Sequence, residues 1–193
     1  MEKCRWCLDG GIVEKYHDNE WGTIIHDDKK HFEYLLMEVM QCGLSWLLML
    51  KKREVFRNCF DNFDFHLVAC YDDSKVDLIL NTENMIRSRK KIEAVINNAK
   101  IFIEITKEFG SFDNYLWSFS DHKTIVYSSH QEGAWETRNY LSDMISSDMK
   151  KRGFKFLGSI TVFSHLQACG MINDHEKECY KYYELLQSDH IIV

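Results

Sequence analysis

Apolar residues recur at helical spacing along most of this 193-residue chain and at strand spacing almost nowhere. After Asp28, the residues Phe32, Leu35, Leu36, Val39, Met40, Leu44 and Leu47 fall three or four apart. That stripe predicts a helix running toward Lys52, with Gly43 as a break or a close packing point. A second helix is predicted over 52–60. Asp64 caps a short one through Cys70, and Ser74 caps another through Leu80. Ile86, Ile92, Val95, Ile96, Ala99, Phe102, Ile103 and Ile105 predict a long helix after Arg87, ended by Gly110. "SFDNYLWSF" reads as a short helix, Asn139 to Lys151 as another, and 159–170 as a strong one closed by Gly170. Asn173–Asp174 then form a turn and cap before a helix carrying His175 and Cys179. Residues 1–25, with "HDNEWG" as a polar loop, and residues 121–136 have no period and read as irregular. "GFKFLG" alternates weakly and reads as a loop; the tail "SDHIIV" has no assigned task. No repeat, linker or low-complexity block appears, so the expectation is one all-α domain over residues 1–193.

Composition narrows the class. Apolar residues make up 45% and aromatics 13%, enough for a sizeable core. Proline is absent, where average usage would give roughly nine or ten, so Asp, Asn, Ser and Gly must start and stop the helices. No apolar run reaches a membrane span and no signal peptide opens the chain, so a cytoplasmic protein is expected. Seven cysteines, an odd and scattered set, argue for thiols that are buried or metal-bound. With a formal charge of −6, nucleic acid could be met only through a local basic face. "IRSRKK" at 86–91, "KKRGFK" at 150–155 and "KKRE" at 51–54 are the candidates.

Two residues of "NDHEKEC" raise a metal question. On a helix, His175 and Cys179 point the same way on successive turns. A tetrahedral site needs two more donors, and near the N-terminus Cys4 and His17 supply them, with Cys7 of "CRWC" as a rival thiol. Two Cys and two His make a closed, structural type of site that would clip the irregular N-terminal segment to the C-terminal one. Cys42, Cys59, Cys70 and Cys169 lie beside apolar residues and read as ordinary core thiols.

The segments "CRWC", "YHDNEWG", "QCGLSWLLMLKKRE", "NMIRSRKKIEAVINNA", "LWSF", "KKRGFKFLG" and "QACGMINDH" span nearly the whole chain. Through them it resembles the bacterial DNA-3-methyladenine glycosylase I family. The resemblance implies an all-α helix–hairpin–helix DNA glycosylase-like fold with a zinc-held terminal snap. Its structural zinc ligands would fall on Cys4, His17, His175 and Cys179, leaving Cys7 a bystander. It implies hydrolytic excision of N3-methyladenine from double-stranded alkylated DNA by a monomer, giving an abasic site and free 3-methyladenine. Glu38 would be the catalytic carboxylate. Tyr16 and Trp46, with Trp6 and Ser164 nearby, would line the pocket. No lysine nucleophile and no lyase step are expected.

The residue chemistry agrees with that expectation. N3-methylation puts positive charge on the base, which aromatic faces attract by roughly 0.5–2 kcal/mol each. Glu38 is the only carboxylate in "YLLMEVMQCGLSWLLML". It precedes Trp46 by about two turns, so both border one cavity if the helix runs through. "NTENMIRSRKKI" would be the hairpin offering backbone N–H groups to phosphate, with charge from Arg87, Arg89, Lys90 or Lys91. Asn84 stands where relatives usually have glycine, and Asn tolerates the left-handed backbone next best. Lys150, Lys151, Arg152 and Lys155 form a second basic patch, with Gly153 allowing close approach to DNA or to the snap. A non-catalytic DNA-binding or damage-binding protein is the alternative. A regulatory zinc domain would require both basic stretches to be idle.

Overall fold

The computed structural model describes residues 2–8, 10–131 and 134–193. Its elements run α1 (Gly11–Asn19), α2 (Asp28–Gln41), α3 (Trp46–Cys59), α4 (Phe65–Val68), α5 (Asp73–Asn81), α6 (Arg89–Phe109) and α7 (Phe112–Trp117). Then follow β1 (Thr124–Val126), α8 (Ser128–Gln131), α9 (Tyr140–Arg152), α10 (Ser159–Ala168), α11 (Tyr180–Leu185) and β2 (His190–Ile192).

Helix α2 is the axis of the molecule. Every residue from His31 to Met40 is buried, because α3, α6, α7 and α10 pack around it. A helix enclosed on all sides must satisfy its polar groups internally. Asp27 caps its start by accepting from the Lys30 N–H at 2.7 Å. His31 lies between His165 (3.3 Å) and Asp113 (3.1 Å), and Glu33 accepts from Arg53 at 2.6 Å. At the other end Lys91 of α6 donates to the carbonyls of Met40 (2.8 Å) and Cys42 (2.7 Å), standing in for the missing next turn.

The expected long helix does not run from Asp28 to Lys52. It stops at Gln41, turns through Gly43 (φ +80°), and restarts as α3, capped by Ser45. The apolar period continues across the break, which is why periodicity alone joined the two. The cap at Asp64 is present, but the second helix is capped by Asp72 rather than by Ser74, which lies within its first turn. Helix α6 ends at Gly110 (φ +84°), and α9 opens with an Asn139–Ser142 capping box.

Three regions differ from expectation. Residues 11–19 form helix α1 rather than irregular chain, their Val13, Tyr16 and His17 facing inward. The segment from His175 to Cys179 is not helical; α11 starts at Tyr180, and Cys179 serves as its N-cap residue. The fold is mostly helical rather than wholly so. β1 and β2 pair in parallel, Thr124 with His190 through Val126 with Ile192, so the tail 188–193 closes onto part of the supposed loop 121–136. Three-residue strands are too short to show alternation. Residues 132 and 133 of that expected loop lie outside the described residues. Among the described residues no helix is long and apolar enough to cross a membrane.

Helices α5 and α6 and the turn at 82–88 form the helix–hairpin–helix. Asn84 adopts φ +62°, the left-handed conformation the turn requires. Its carbonyl accepts from Lys52 on α3, which ties the hairpin to the helix that begins at Trp46.

Candidate active site

Four helices converge on a cavity of about 270 Å³ lined by Trp6, Tyr16, Trp21, Glu38, Gln41, Trp46, Ser164 and Gln167. The break at Gly43 sets its geometry. Glu38 and Gln41 come from the last turns of α2, and Trp46 is the first residue of α3, so the Cys42–Ser45 turn forms the rim between them. Tyr16 comes from α1, and Ser164 and Gln167 from one face of α10. The volume is at the low end for ligand sites and suits a single flat heterocycle.

Glu38 is 4% exposed. Desolvation alone pushes its carboxyl up to about 8 from an ordinary 4.5, with no cation beside it among the described residues. The Tyr16 hydroxyl is likewise held protonated by burial and by Tyr34 and Glu38. Behind Tyr16 stands Tyr34, which donates to Glu20 (3.2 Å). Arg53 clamps that carboxylate at 2.6 and 2.7 Å. These bonds fix the back of the wall.

The aromatic walls differ from a simple sandwich. Tyr16 and Trp46 have ring centroids 5.5 Å apart at 52°. An inserted ring would need about 7 Å between faces, twice the roughly 3.4 Å of stacked bases. The two therefore meet as a corner, and a flat ring must lie against one face with the other at its edge. Trp6 and Trp21 pack edge-to-face at 4.9 Å, the first of them 41% exposed. The indole N–H of Trp46 is buried without an acceptor among the described residues. Ser164 donates to the Ile160 carbonyl at 3.2 Å. Sequence reading missed Trp21, Gln41 and Gln167. The two glutamines lie three residues beyond Glu38 and Ser164 on their helices, so the helical period could have found them.

On the far side of α1, consecutive residues diverge by about 100°, so Tyr16 faces the cavity and His17 faces away from it. His17 joins Cys4, His175 and Cys179 in a buried cluster able to hold a metal ion, their donor atoms all within 4.8 Å of one another. Cys4 Sγ lies 3.4 Å from His175 Nδ1, and Cys179 Sγ lies 3.5 Å from His17 Nε2 and 3.7 Å from His175 Nδ1. A tetrahedron with metal–sulfur and metal–nitrogen bonds of about 2.3 and 2.05 Å has S···N edges near 3.6 Å, so these donors fit a zinc-like ion. Asp18 holds His17 Nδ1 at 3.0 Å, leaving Nε2 for the cluster. Cys7 donates its thiol to the Cys4 carbonyl at 3.0 Å and is not among the four. Gly22 (φ +75°) is required here, since a Cβ would strike the His175 ring.

The basic residues separate by exposure and by the ion pairs they make among the described residues. Arg87, Lys90 and Lys151 are exposed. Arg89 pairs with Asp77, Asp73 and Glu93. Arg152 is bound by Glu108 (2.6 Å) and Asp148 (2.8 Å) and lies over Phe109 and Tyr115, beside the end of α6 remote from the hairpin. Gly153 caps α9 at φ +99° and faces Ile101 rather than the snap.

A helical scaffold with a helix–hairpin–helix beside a ring-sized, acid-floored aromatic cavity defines the class of helix–hairpin–helix DNA glycosylases. The chain belongs to the methyladenine glycosylase family, whose model matches residues 6–182. It is 40% identical over 179 residues to DNA-3-methyladenine glycosylase 1 of Escherichia coli strain K12, covering 93% of this chain and 96% of that one. A crystal structure of a 3-methyladenine DNA glycosylase I matches with a TM-score of 0.87 at 37% identity, over 93% of this chain and 98% of that one. The Staphylococcus aureus enzyme, solved to show the structural basis of its 3-methyladenine recognition, matches with the same TM-score at 34% identity, over 94% and 97%.

Proposed function

We propose that this protein hydrolyses the N-glycosidic bond of N3-methyladenine in double-stranded alkylated DNA, releasing free 3-methyladenine and leaving an abasic site. The observation that carries this reading is Glu38. An acid buried in an aromatic cavity, with no cation beside it among the described residues, is complemented by a ring that brings its own positive charge. Discrimination then begins with charge, because an ordinary adenine is neutral and leaves the carboxyl desolvated at full cost.

The methylated base is already a good leaving group. The C1′–N bond breaks with both electrons passing to the base, which departs neutral. The oxocarbenium-like sugar left behind is captured by water, which gives up a proton. The protein's part is to hold the flipped ring against Trp46 and Tyr16, with Trp6 and Ser164 at the margins, while Glu38 accepts from its amino edge and favours capture of the cationic ring. No lysine is assigned a covalent role.

The hairpin at 82–88 would meet phosphate through backbone N–H groups, with Asn84 shaping the turn and Arg87 and Lys90 adding charge. Arg89, Lys151 and Arg152 belong to the same expectation; of these, Arg89 and Arg152 would have to exchange their present carboxylate partners. Zinc on Cys4, His17, His175 and Cys179 would have a structural role, locking the segment that carries Trp6. Seven free cysteines suit the reducing cytoplasm, and a monomer suffices, since one chain supplies the whole cavity.

The test is release of base from methylated duplex DNA by purified protein, read by chromatography. Free 3-methyladenine, with the strand uncut until alkali is added, is expected. Retention of the DNA without base release would select the non-catalytic binding reading.

A further inference from the structure

Two amides line the cavity, and only one has its orientation dictated. Gln167 donates its Nε2 to Asp174 Oδ2 at 2.6 Å, and the other oxygen of Asp174 lies 2.6 Å from His130 Nδ1. The Asp174 and His130 side chains are each 1% exposed. Gln41 has no such partner among the described residues. A glutamine amide is normally two-faced, since turning it exchanges donor for acceptor. Turning Gln167 would place its carbonyl oxygen against Asp174 Oδ2 and leave that oxygen without its donor, while His130 still held Oδ1. The clamp therefore removes the choice, and Oε1, which has no donor among the described residues, is fixed as the amide's acceptor on the cavity side.

We propose that Gln167 is a specificity-determining acceptor, held in that sense by Asp174 as a positioning residue with His130 behind it. The inference rests on the base-excising reading above. An adenine ring offers an N6 amino donor where guanine carries the O6 acceptor. Together with the ionised Glu38 carboxylate, the locked Oε1 makes a wall of two acceptors that cannot turn into donors. Such a wall welcomes the amino edge of 3-methyladenine and opposes the O6 edge of 3-methylguanine. The unpaired acceptors that guanine leaves behind carry the discrimination, as they do wherever a buried polar group lacks its partner.

The experiment compares kcat/KM for release of 3-methyladenine and of 3-methylguanine from the same methylated duplex. Gln167→Met keeps the length of the side chain and removes the acceptor. Asp174→Asn keeps the shape of the clamp and lets the amide turn. The ratio of the two activities is expected to fall at least tenfold in both variants. In Asp174→Asn the fall comes largely from faster 3-methylguanine release, a gain that mere loosening of the structure would not produce. Because Asp174 adjoins His175, zinc content is measured alongside, and Gln167→Met decides the matter if Asp174→Asn fails to fold. A ratio within twofold of wild type in Gln167→Met overturns the role of Gln167. An unchanged ratio in a folded, zinc-loaded Asp174→Asn overturns the clamp. Wild-type protein that releases neither base defeats the underlying reading, and this inference with it.

Discussion

Glu38 shows how one side chain can connect function to stability. Its carboxyl titrates near 8 in the folded protein and near 4.5 when unfolded, so between those values the folded state holds a proton that the unfolded state has released. The folded state is therefore penalised progressively as pH rises from about 4.5 to about 8, by an amount on the order of 5 kcal/mol at the top of the range. Glu38→Gln, which cannot ionise, should melt at nearly the wild-type temperature at pH 5 and clearly above it at pH 8. Melting curves at the two pH values check this, and an equal offset at both would contradict it. Activity should run the other way. Wild-type kcat/KM rises with pH as the free carboxyl ionises, whereas Glu38→Gln should lose at least tenfold and show no such rise. A flat wild-type profile from pH 5 to 9 would separate Glu38 from the reaction.

Among the elements, the junction of α2, α3 and α6 does the positioning. Lys91 donates to two carbonyls at the broken end of α2, and the turn it holds carries the rim between Gln41 and Trp46. Lys91→Met keeps the aliphatic stem and strands both carbonyls, so a loss of about 1–3 kcal/mol is expected in denaturant melts, together with weakened base release. Unchanged stability would show that water serves those carbonyls equally well. The hairpin offers a second case. Asn84 sits at φ +62°, where a β-branched residue is strained by about 1–2 kcal/mol. Asn84→Val should weaken DNA binding, and Asn84→Gly should preserve it. Much of this was legible in the chain. The stripe at 92–105 located α6, and Asp64, Asn139 and Gly110 marked helix ends with side chains whose capping chemistry is local. The apolar period continues through Gly43, so the stripe did not divide α2 from α3, although Gly43 itself offered a break as one of two readings. Helix α1 was hidden because nine residues hold only two turns of pattern. The pairing of β1 with β2 joins positions 66 residues apart, which no local pattern records. At the site, Glu38 and Tyr16 stood out by type and motif. The hold of Glu108 and Asp148 on Arg152 could not be seen, because a charge's partner is set by tertiary packing.

For the whole molecule, the −6 charge means that, if Arg87, Lys90 and Lys151 meet DNA as proposed, their attraction is local and opposed by the rest of the surface. Duplex affinity should fall steeply with salt, by a log–log slope of about −0.9 for each phosphate contact, and Arg87→Ala should reduce the slope by about one. Binding unaffected by salt would place recognition elsewhere. The metal cluster acts on the same scale. Removing zinc with a chelator, or Cys179→Ser, is expected to lower the melting temperature by several degrees and expose residues near Trp6 to protease, with one zinc per chain in the untreated protein. Zinc-free protein with unchanged stability would refute the structural role.

Cys4 and His17 lie near one terminus, and His175 and Cys179 near the other. A metal bridging them would turn a linear polymer into a closed ring enclosing nearly every helix. Tension applied outside Cys4 and Cys179 would then load the coordination bonds before it reached any helix within the ring, α11 alone lying outside it. Stretched singly, such a molecule should resist as one unit until the metal lets go, and only afterwards pay out its length.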